Sequence, residues 1–460
     1  MPLPEPFREY VENVCGQIRW KKVRPAVAEE LEAHLDDQRQ ALMEEGASEE
    51  DAVKETLRQM GDPVDVGGQL DRVHRPKPQR AMLAAVGLLL VMGFCFSLAA
   101  NLLRGVEGNP VRVVNAYLLA AVLILCCYFL DFSFLGRIPV ILNSTFLALW
   151  AVLYVLSIPF SFHNENYFWF GGFSLNLAYL SLLVPLFYAL LIYHYRNRGY
   201  RGIGYCVLWF LPYLALMSLC PPYAGMVTAI VSCFLLLCMA VWQGWFGTER
   251  RKGMFFSLIP AILCAALGCL VIFSQEHNRE QVLLLFNPEL AREGAGYHYW
   301  VKRELLKNAH FIGHGDPVDF LETSMASTST LSFDWDNFLT LFTYDFGWIV
   351  FLAVVAALAI FAVLAFRRVR KLTNALSRVV ALAILFTLLG QIVFYLLETL
   401  GFGLISGLSL PLISPGNAAL MVDAVLVGFL LSVFRNGEAM QTENLVKRAT
   451  IFARFLKKES

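Results

Sequence analysis

Residues 81–103 read AMLAAVGLLLVMGFCFSLAANLL, a stretch with no Asp, Glu, Lys or Arg. A helix needs about 20 mostly apolar residues to cross the hydrocarbon of a bilayer, and this run has that length. Comparable runs recur down the chain at roughly 114–133, 138–160, 174–195, 203–220, 224–245, 254–274, 337–366, 376–400 and 412–434. Soluble cores do not repeat in this way. Composition agrees: 57% of residues are hydrophobic, 16% are charged and the mean hydropathy is +0.56. The expected fold class is therefore all-α, a polytopic membrane protein of about ten transmembrane helices with a small helical domain in front. A formal net charge of +0 predicts no general affinity for nucleic acid and leaves the distribution of charge as the informative quantity.

That distribution sets an orientation. Arg137, Arg196 with Arg198 and Arg201, Arg250–Lys252, Arg367–Lys371 and the tail residues Lys447, Arg448, Lys457 and Lys458 all fall in loops of one parity. By the positive-inside rule that side is cytosolic, and it holds both termini. The first apolar run follows some 80 polar residues, so the first helix, not a cleavable signal peptide, is expected to insert the chain. Of ten cysteines, Cys15 precedes the membrane and the others lie in apolar segments. Their spacing suits neither a zinc site nor disulfides.

Three regions follow: residues 1–80 as a cytosolic helical domain with its linker, 81–435 as the membrane domain, and 436–460 as a basic tail. In the first, Val27, Leu31, Leu35 and Leu42 mark one amphipathic helix that Gly46 breaks. Ser48 and Asp51 cap a second, striped by Val53, Leu57 and Met60, which Gly61-Asp62-Pro63 ends. Arg75–Arg80 is a proline-stiffened basic linker suited to the anionic inner leaflet. In the membrane domain the connection 274–336 is too long for a plain connector. Its aromatics Tyr297, Tyr299, Trp300, Phe311 and Phe320 suit the head-group region, and Leu283–Phe286 could dip into the interface.

From Phe286 the loop reads FNPELAREGAGYHYWVKRELLKNAHFIGHGD, and SFDWDNFLTLFTYDFG then leads into the next span as far as Gly347. Together with Gly401–Ser414, GFGLISGLSLPLIS, these blocks resemble the SEDS family, the FtsW/RodA/SpoVE group of bacterial cell-shape, division and sporulation proteins. The counterparts of the family's motifs are Pro288, Gly296-Tyr297-His298, Gly313-His314-Gly315, Asp336-Asn337-Phe338 and Tyr344–Gly347. Other blocks depart from the pattern. Asn176-Leu177-Ala178-Tyr179 stands where the family has Gln-Pro-Ser-Glu, Pro222–Gly225 replaces Pro-Asp-Leu-Gly, and Pro415–Ala419 replaces Tyr-Gly-Gly-Ser-Ser. Residues 5–75 separately resemble the short helical HAAS, or permease-prefix, domain found before bacterial membrane proteins, which suggests docking of a cytosolic regulator.

The SEDS resemblance implies polymerisation of glycan strands from lipid II, an undecaprenyl-pyrophosphate disaccharide peptide, in the bacterial cytoplasmic membrane. A class B penicillin-binding protein would be the transpeptidase partner. It marks Asp336 as the required acid, able to take the proton from an attacking sugar hydroxyl. Capping of the following helix is the competing role. Lys302, Arg303 and Lys307 are the loop's basic cluster for a pyrophosphate, with Gly313 and Gly315 able to bring backbone close. Solvated or snorkelling charges are the plainer reading of those cations. His298, His310 and His314 are not assigned a metal. A divalent cation, Mg or Mn, on the pyrophosphate is the one cofactor left open, with Asp316, Asp319, Glu322, Asp334 and Asp345 as nearby acids; a hydrated acidic surface is the alternative.

Within the membrane, Pro411 and Ser414 with Gly416 mark broken backbone suited to a lipid-substrate groove, Glu398 is expected at the interface, and Asp423 requires a polar partner. Three functions stay open: a divergent glycosyltransferase, a catalytically inactive scaffold or lipid II-binding subunit, and, more weakly, a flippase for lipid-linked sugars. Loss of the Gln-Pro-Ser-Glu tetrad favours the second.

Overall fold

The computed structural model describes residues 4–21, 23–74, 79–104, 110–160, 166–170, 173–221, 223–274, 297–318, 337–372, 374–402, 408–414 and 418–436. The chain divides into two compact units: residues 1–79 with 372–377 and 434–460, and residues 80–371 with 378–433.

The first unit contains α1 (Glu5–Gln17), α2 (Arg24–Glu44), α3 (Glu49–Met60) and α4 (Pro63–His74). Sequence periodicity anticipates α2 and α3; α1 and α4 complete the core. Phe7, Tyr10, Val11 and Val14, spaced at three and four residues along α1, pack with Val27, Leu31, Leu35 and Val53. Ser48 is the N-cap of α3, its Oγ accepting from the Asp51 N–H at 3.3 Å. Gly46 and Gly61 take φ of +99° and +81° at the two helix ends, a backbone region that favours glycine. Arg24 Nε donates to the Ile18 carbonyl at 2.8 Å, closing the end of α1. Burial pushes the Cys15 thiol up, away from reactivity.

The second unit is built from α5 (Arg80–Arg104), α6 (Pro110–Phe129), α7 (Pro139–Ser157), the β1–β2 hairpin (Tyr167–Phe170 and Phe173–Asn176), α8 (Val184–Tyr195), α9 (Gly199–Ser218), α10 (Ala224–Trp242) and α11 (Arg250–Ser274). There follow α12 (Tyr297–Asn308), α13 (Phe338–Phe346), α14 (Trp348–Val369), α15 (Ala375–Thr399) and α16 (Ala418–Asn436). Among the described residues nine helical segments are long and apolar enough to cross a membrane, and the remaining expected span, 254–274, is helical within α11. The chain is thus an all-α multi-pass membrane protein. Segment 177–195 and α16 each bury 78% of their apolar window and α15 buries 67%, against 22% for α7 and 28% for α6. The first three therefore form the interior of the bundle, while α6 and α7 present outward chains such as Leu118, Leu125, Ile141 and Val155.

Several polar side chains inside the bundle are paired, as a lipid-like environment demands. Asn143 on α7 donates to the Pro139 carbonyl at 2.9 Å and to the Phe187 carbonyl of α8 at 3.1 Å, and accepts from the Tyr213 hydroxyl of α9 at 2.7 Å. Two details differ from the sequence reading. The fourth span opens as a 3-10 helix, Leu177–Leu183, capped by the Asn176 side chain accepting from the Ala178 N–H. The eighth is not one helix from 337, because Gly347, at φ +97° and ψ 167°, separates α13 from α14.

Candidate functional site

α12 is amphipathic, and its buried residues Val301, Lys302, Leu305 and Leu306 share one side at helical spacing. Val301 and Leu305 pack with Val318, Leu341 and Tyr344 as a small core of their own. The chain leaving α12 runs along the α13–α14 junction and is laced to it by backbone hydrogen bonds. Gly313 N donates to Phe346 O at 3.1 Å, Gly315 N to Tyr344 O at 2.9 Å, Trp348 N to His310 O at 3.0 Å and Ile349 N to Phe311 O at 3.1 Å. Tyr344 adds its hydroxyl, donating to the Asp316 carbonyl at 2.8 Å.

The end of α15 anchors this platform. The Leu339 N–H donates to the Tyr395 hydroxyl at 3.3 Å and the Thr340 hydroxyl to the Thr399 carbonyl at 3.2 Å, fixing the first turn of α13. Lys302 Nζ lies 3.1 Å from Glu398 Oε1, with side-chain exposures of 2% and 6%. Next to it, Arg303 Nε donates to the Gly401 carbonyl at 2.9 Å and its guanidinium lies over the Phe402 ring, 5.3 Å from the centroid. Gly401, at φ +77°, admits this approach because a Cβ there would run into the Arg303 Cγ.

The candidate residues thus fall into distinct surroundings. Lys302 is committed to a buried ion pair, Arg303 to a backbone carbonyl, and Lys307 is exposed beside Glu304 at 3.2 Å. Gly313 needs its φ of +94°, with open space where a Cβ would stand. Gly315 is required for close approach, since a Cβ would come within 2.6 Å of the Asn308 carbonyl and the Tyr344 ring. Asp336 lies outside the described residues, as do Asp319, Glu322, Asp334 and Leu283–Phe286. The N-cap of α13 is Asn337, whose side chain makes no capping hydrogen bond.

His310 Nε2 is 3.2 Å from Asp316 Oδ1, both well exposed, and the His314 ring meets Tyr344 edge-on at 4.9 Å. Among the described residues no three His, Cys, Asp or Glu side chains gather to hold a metal ion. Asp316 is exposed beside His310, while three of the other acids named for a cation, Asp319, Glu322 and Asp334, lie outside the described residues.

Pro411 and Ser414 belong to a buried non-helical segment, Leu408–Ser414. Ser414 Oγ accepts from the Leu410 N–H at 2.9 Å, and its own N–H donates to the Leu410 carbonyl at 3.1 Å. Leu412 takes φ +62°, rare for a branched side chain. Gln391 of α15 holds the segment from below, its Nε2 donating to the Ser409 carbonyl at 2.9 Å and reaching Asp423 Oδ2 of α16 at 3.4 Å. The Tyr117 hydroxyl of α6 donates to the Ile413 carbonyl at 3.0 Å. Asp423 therefore has the polar helix contact that its position demands. Glu398, expected at the interface, is enclosed against Lys302, and Gln391 escapes a reading based on motifs. The position of Lys302 on the apolar side of α12 is the one signal that could have shown Lys302 to be buried, and with it the need for an acid.

The solved structures most similar in fold include one reported as "Structural coordination of polymerization and crosslinking by a peptidoglycan synthase complex". It matches with a TM-score of 0.61 at 19% identity, over 78% of this chain and 98% of that one. The rod shape determining protein RodA of Thermus thermophilus matches with a TM-score of 0.53 at 16% identity, over 78% of this chain and 97% of its own. No curated protein matches closely in sequence. The profile of the FtsW/RodA/SpoVE family, described as cell cycle protein, matches residues 79–439, which cover the whole of the second unit. The chain therefore belongs to the FtsW/RodA/SpoVE family of membrane-embedded cell cycle proteins.

Proposed function

We propose that this protein is a peptidoglycan glycosyltransferase that polymerises lipid II at the outer face of the bacterial cytoplasmic membrane, with both termini cytosolic. The observation that carries this reading is the anchored platform directly after Asp336. The chain enters α13 two residues later, and the first turn of α13 is fixed to α15 through Tyr395 and Thr399. A carboxylate preceding that turn is suited to take the proton of an acceptor sugar hydroxyl as its oxygen bonds to the donor's anomeric carbon. The anomeric carbon–oxygen bond to the pyrophosphate breaks in the same step, releasing undecaprenyl pyrophosphate. Asn337 occupies the N-cap position of α13.

Lys307 is the exposed cation of the basic cluster and offers charge to the pyrophosphate, with Arg303 beside it on α12. Gly313 and Gly315 shape the turn that closes the platform, and the Leu408–Ser414 segment, with Pro411 and Ser414, lines the route of the lipid. No step is routed through a divalent cation. A class B penicillin-binding protein is the proposed partner, since the similar solved structure is reported as a peptidoglycan synthase complex.

One observation favours a second reading, a scaffold that binds lipid II without catalysis. Where the family has Gln-Pro-Ser-Glu, Leu177, Ala178 and Tyr179 are buried as packing residues. A flippase is the weaker alternative, because Asp423 contacts Gln391 and is not part of a chain of charges among the described residues. Synthesis of glycan from purified lipid II by the native protein, with and without a class B partner, tests the choice. Polymer supports the enzyme, and no polymer under either condition supports the scaffold.

A further inference from the structure

The buried Lys302–Glu398 pair joins two elements 96 residues apart in sequence, at the same end of α15 that fixes the first turn of α13. An ion pair this enclosed is a poor source of stability, because the desolvation of both charges offsets their attraction. Its consequence is geometric: a Glu398 carboxylate left charged in that place without Lys302 is costly, so the end of α15 favours α12 in this position. Glu398 Oε2 is buried with no hydrogen-bond partner among the described residues, so the carboxylate relies on Lys302 for its compensation. The Arg303–Gly401 hydrogen bond, one residue along α12, holds the same two elements in register.

We infer that Lys302 and Glu398 are positioning residues that lock α12 onto the end of α15 and so set the platform against which Asp336 works, and that Lys302 does not itself hold the pyrophosphate. This rests on the proposed glycosyltransferase reading for its consequence in catalysis, but the lock itself does not depend on activity.

The test uses the full-length protein in membranes, with a cysteine placed at Val301, which is fully buried on α12. Its labelling by a membrane-impermeant maleimide is compared in the otherwise native protein, in Lys302→Met, in Glu398→Gln and in the charge exchange Lys302→Glu with Glu398→Lys. The lock predicts labelling roughly a hundredfold faster in the single variants and protection regained in the exchange. Equal protection in every variant overturns it, and so does an exchange variant that labels as fast as the singles or fails to accumulate. If the single variants fail to accumulate while the exchange variant does, the pairing is upheld.

Polymerisation of lipid II gives the second readout. The lock predicts that Lys302→Met lowers kcat at nearly unchanged KM and that the exchange restores it. A raised KM that the exchange does not restore makes Lys302 a pyrophosphate contact and overturns the inference. If the native protein makes no polymer, the glycosyltransferase reading fails, and the labelling result still decides the lock.

Discussion

Replacing Gly347 by alanine tests the platform at its tightest point. The residue sits at φ +97° and ψ 167°, a region essentially reserved for glycine, where a side chain costs about 1–3 kcal/mol. An added Cβ would also stand 2.6 Å from the Phe311 carbonyl oxygen and 2.8 Å from Ile312 Cα. Those neighbours are backbone, pinned by the hydrogen bonds from Ile349 to Phe311 and from Gly313 to Phe346, so they cannot swing aside. Overpacking of this kind costs about 1–3 kcal/mol, and the two terms together give about 2–6 kcal/mol against the 309–316 segment lying on α13–α14. Two further glycines calibrate the result. Gly313→Ala meets the backbone cost alone, since nothing lies within 4 Å of its Cβ. Gly204→Ala, in open space on α9, gains about 1 kcal/mol of helix propensity. Thermal unfolding of the purified protein in detergent, with limited proteolysis of the segment after α12, should rank the variants Gly347→Ala least stable, Gly313→Ala next and Gly204→Ala at or above the native protein. A Gly347→Ala protein as stable and protease-resistant as Gly313→Ala would refute the reasoning.

Two other predictions concern the bundle. Gly93→Ala places a Cβ against the Leu412 carbonyl and 2.6 Å from the Tyr117 hydroxyl, and should destabilise by about 1–3 kcal/mol; chymotrypsin cleavage near 408–414 rising above the native rate is the check. Asn143→Leu removes the acceptor of the buried Tyr213 hydroxyl, costing about 1–3 kcal/mol; pairing it with Tyr213→Phe should recover much of the loss in a thermal-unfolding comparison.

What the sequence reveals and what it hides divide along the range of the interactions. The spans are legible because each carries its own signal, some 20 apolar residues, and the interior of a helix needs no partner to be recognised. The stripe Val27–Leu31–Leu35 and the Ser48 cap are local in the same sense. Gly347 was readable as part of a motif but not as a break, since its dihedral angles are set by Phe311 and Ile312, distant in sequence. The β1–β2 hairpin and the 3-10 start of the fourth span lie inside an apolar run whose composition looks the same in either conformation. At the candidate site, the cluster Lys302, Arg303 and Lys307 reads as three equivalent cations. The fold assigns them to a buried ion pair, a carbonyl and the surface, because helical rotation points adjacent residues in different directions.

The central claim is that a carboxylate ahead of the anchored α13 turn drives glycan polymerisation, and the direct test compares native protein with Asp336→Asn on purified lipid II beside a class B partner. The account predicts polymer from the native chain and a rate lower by roughly 100- to 10,000-fold in the variant, at similar levels of folded protein. Equal rates from the two proteins would contradict it.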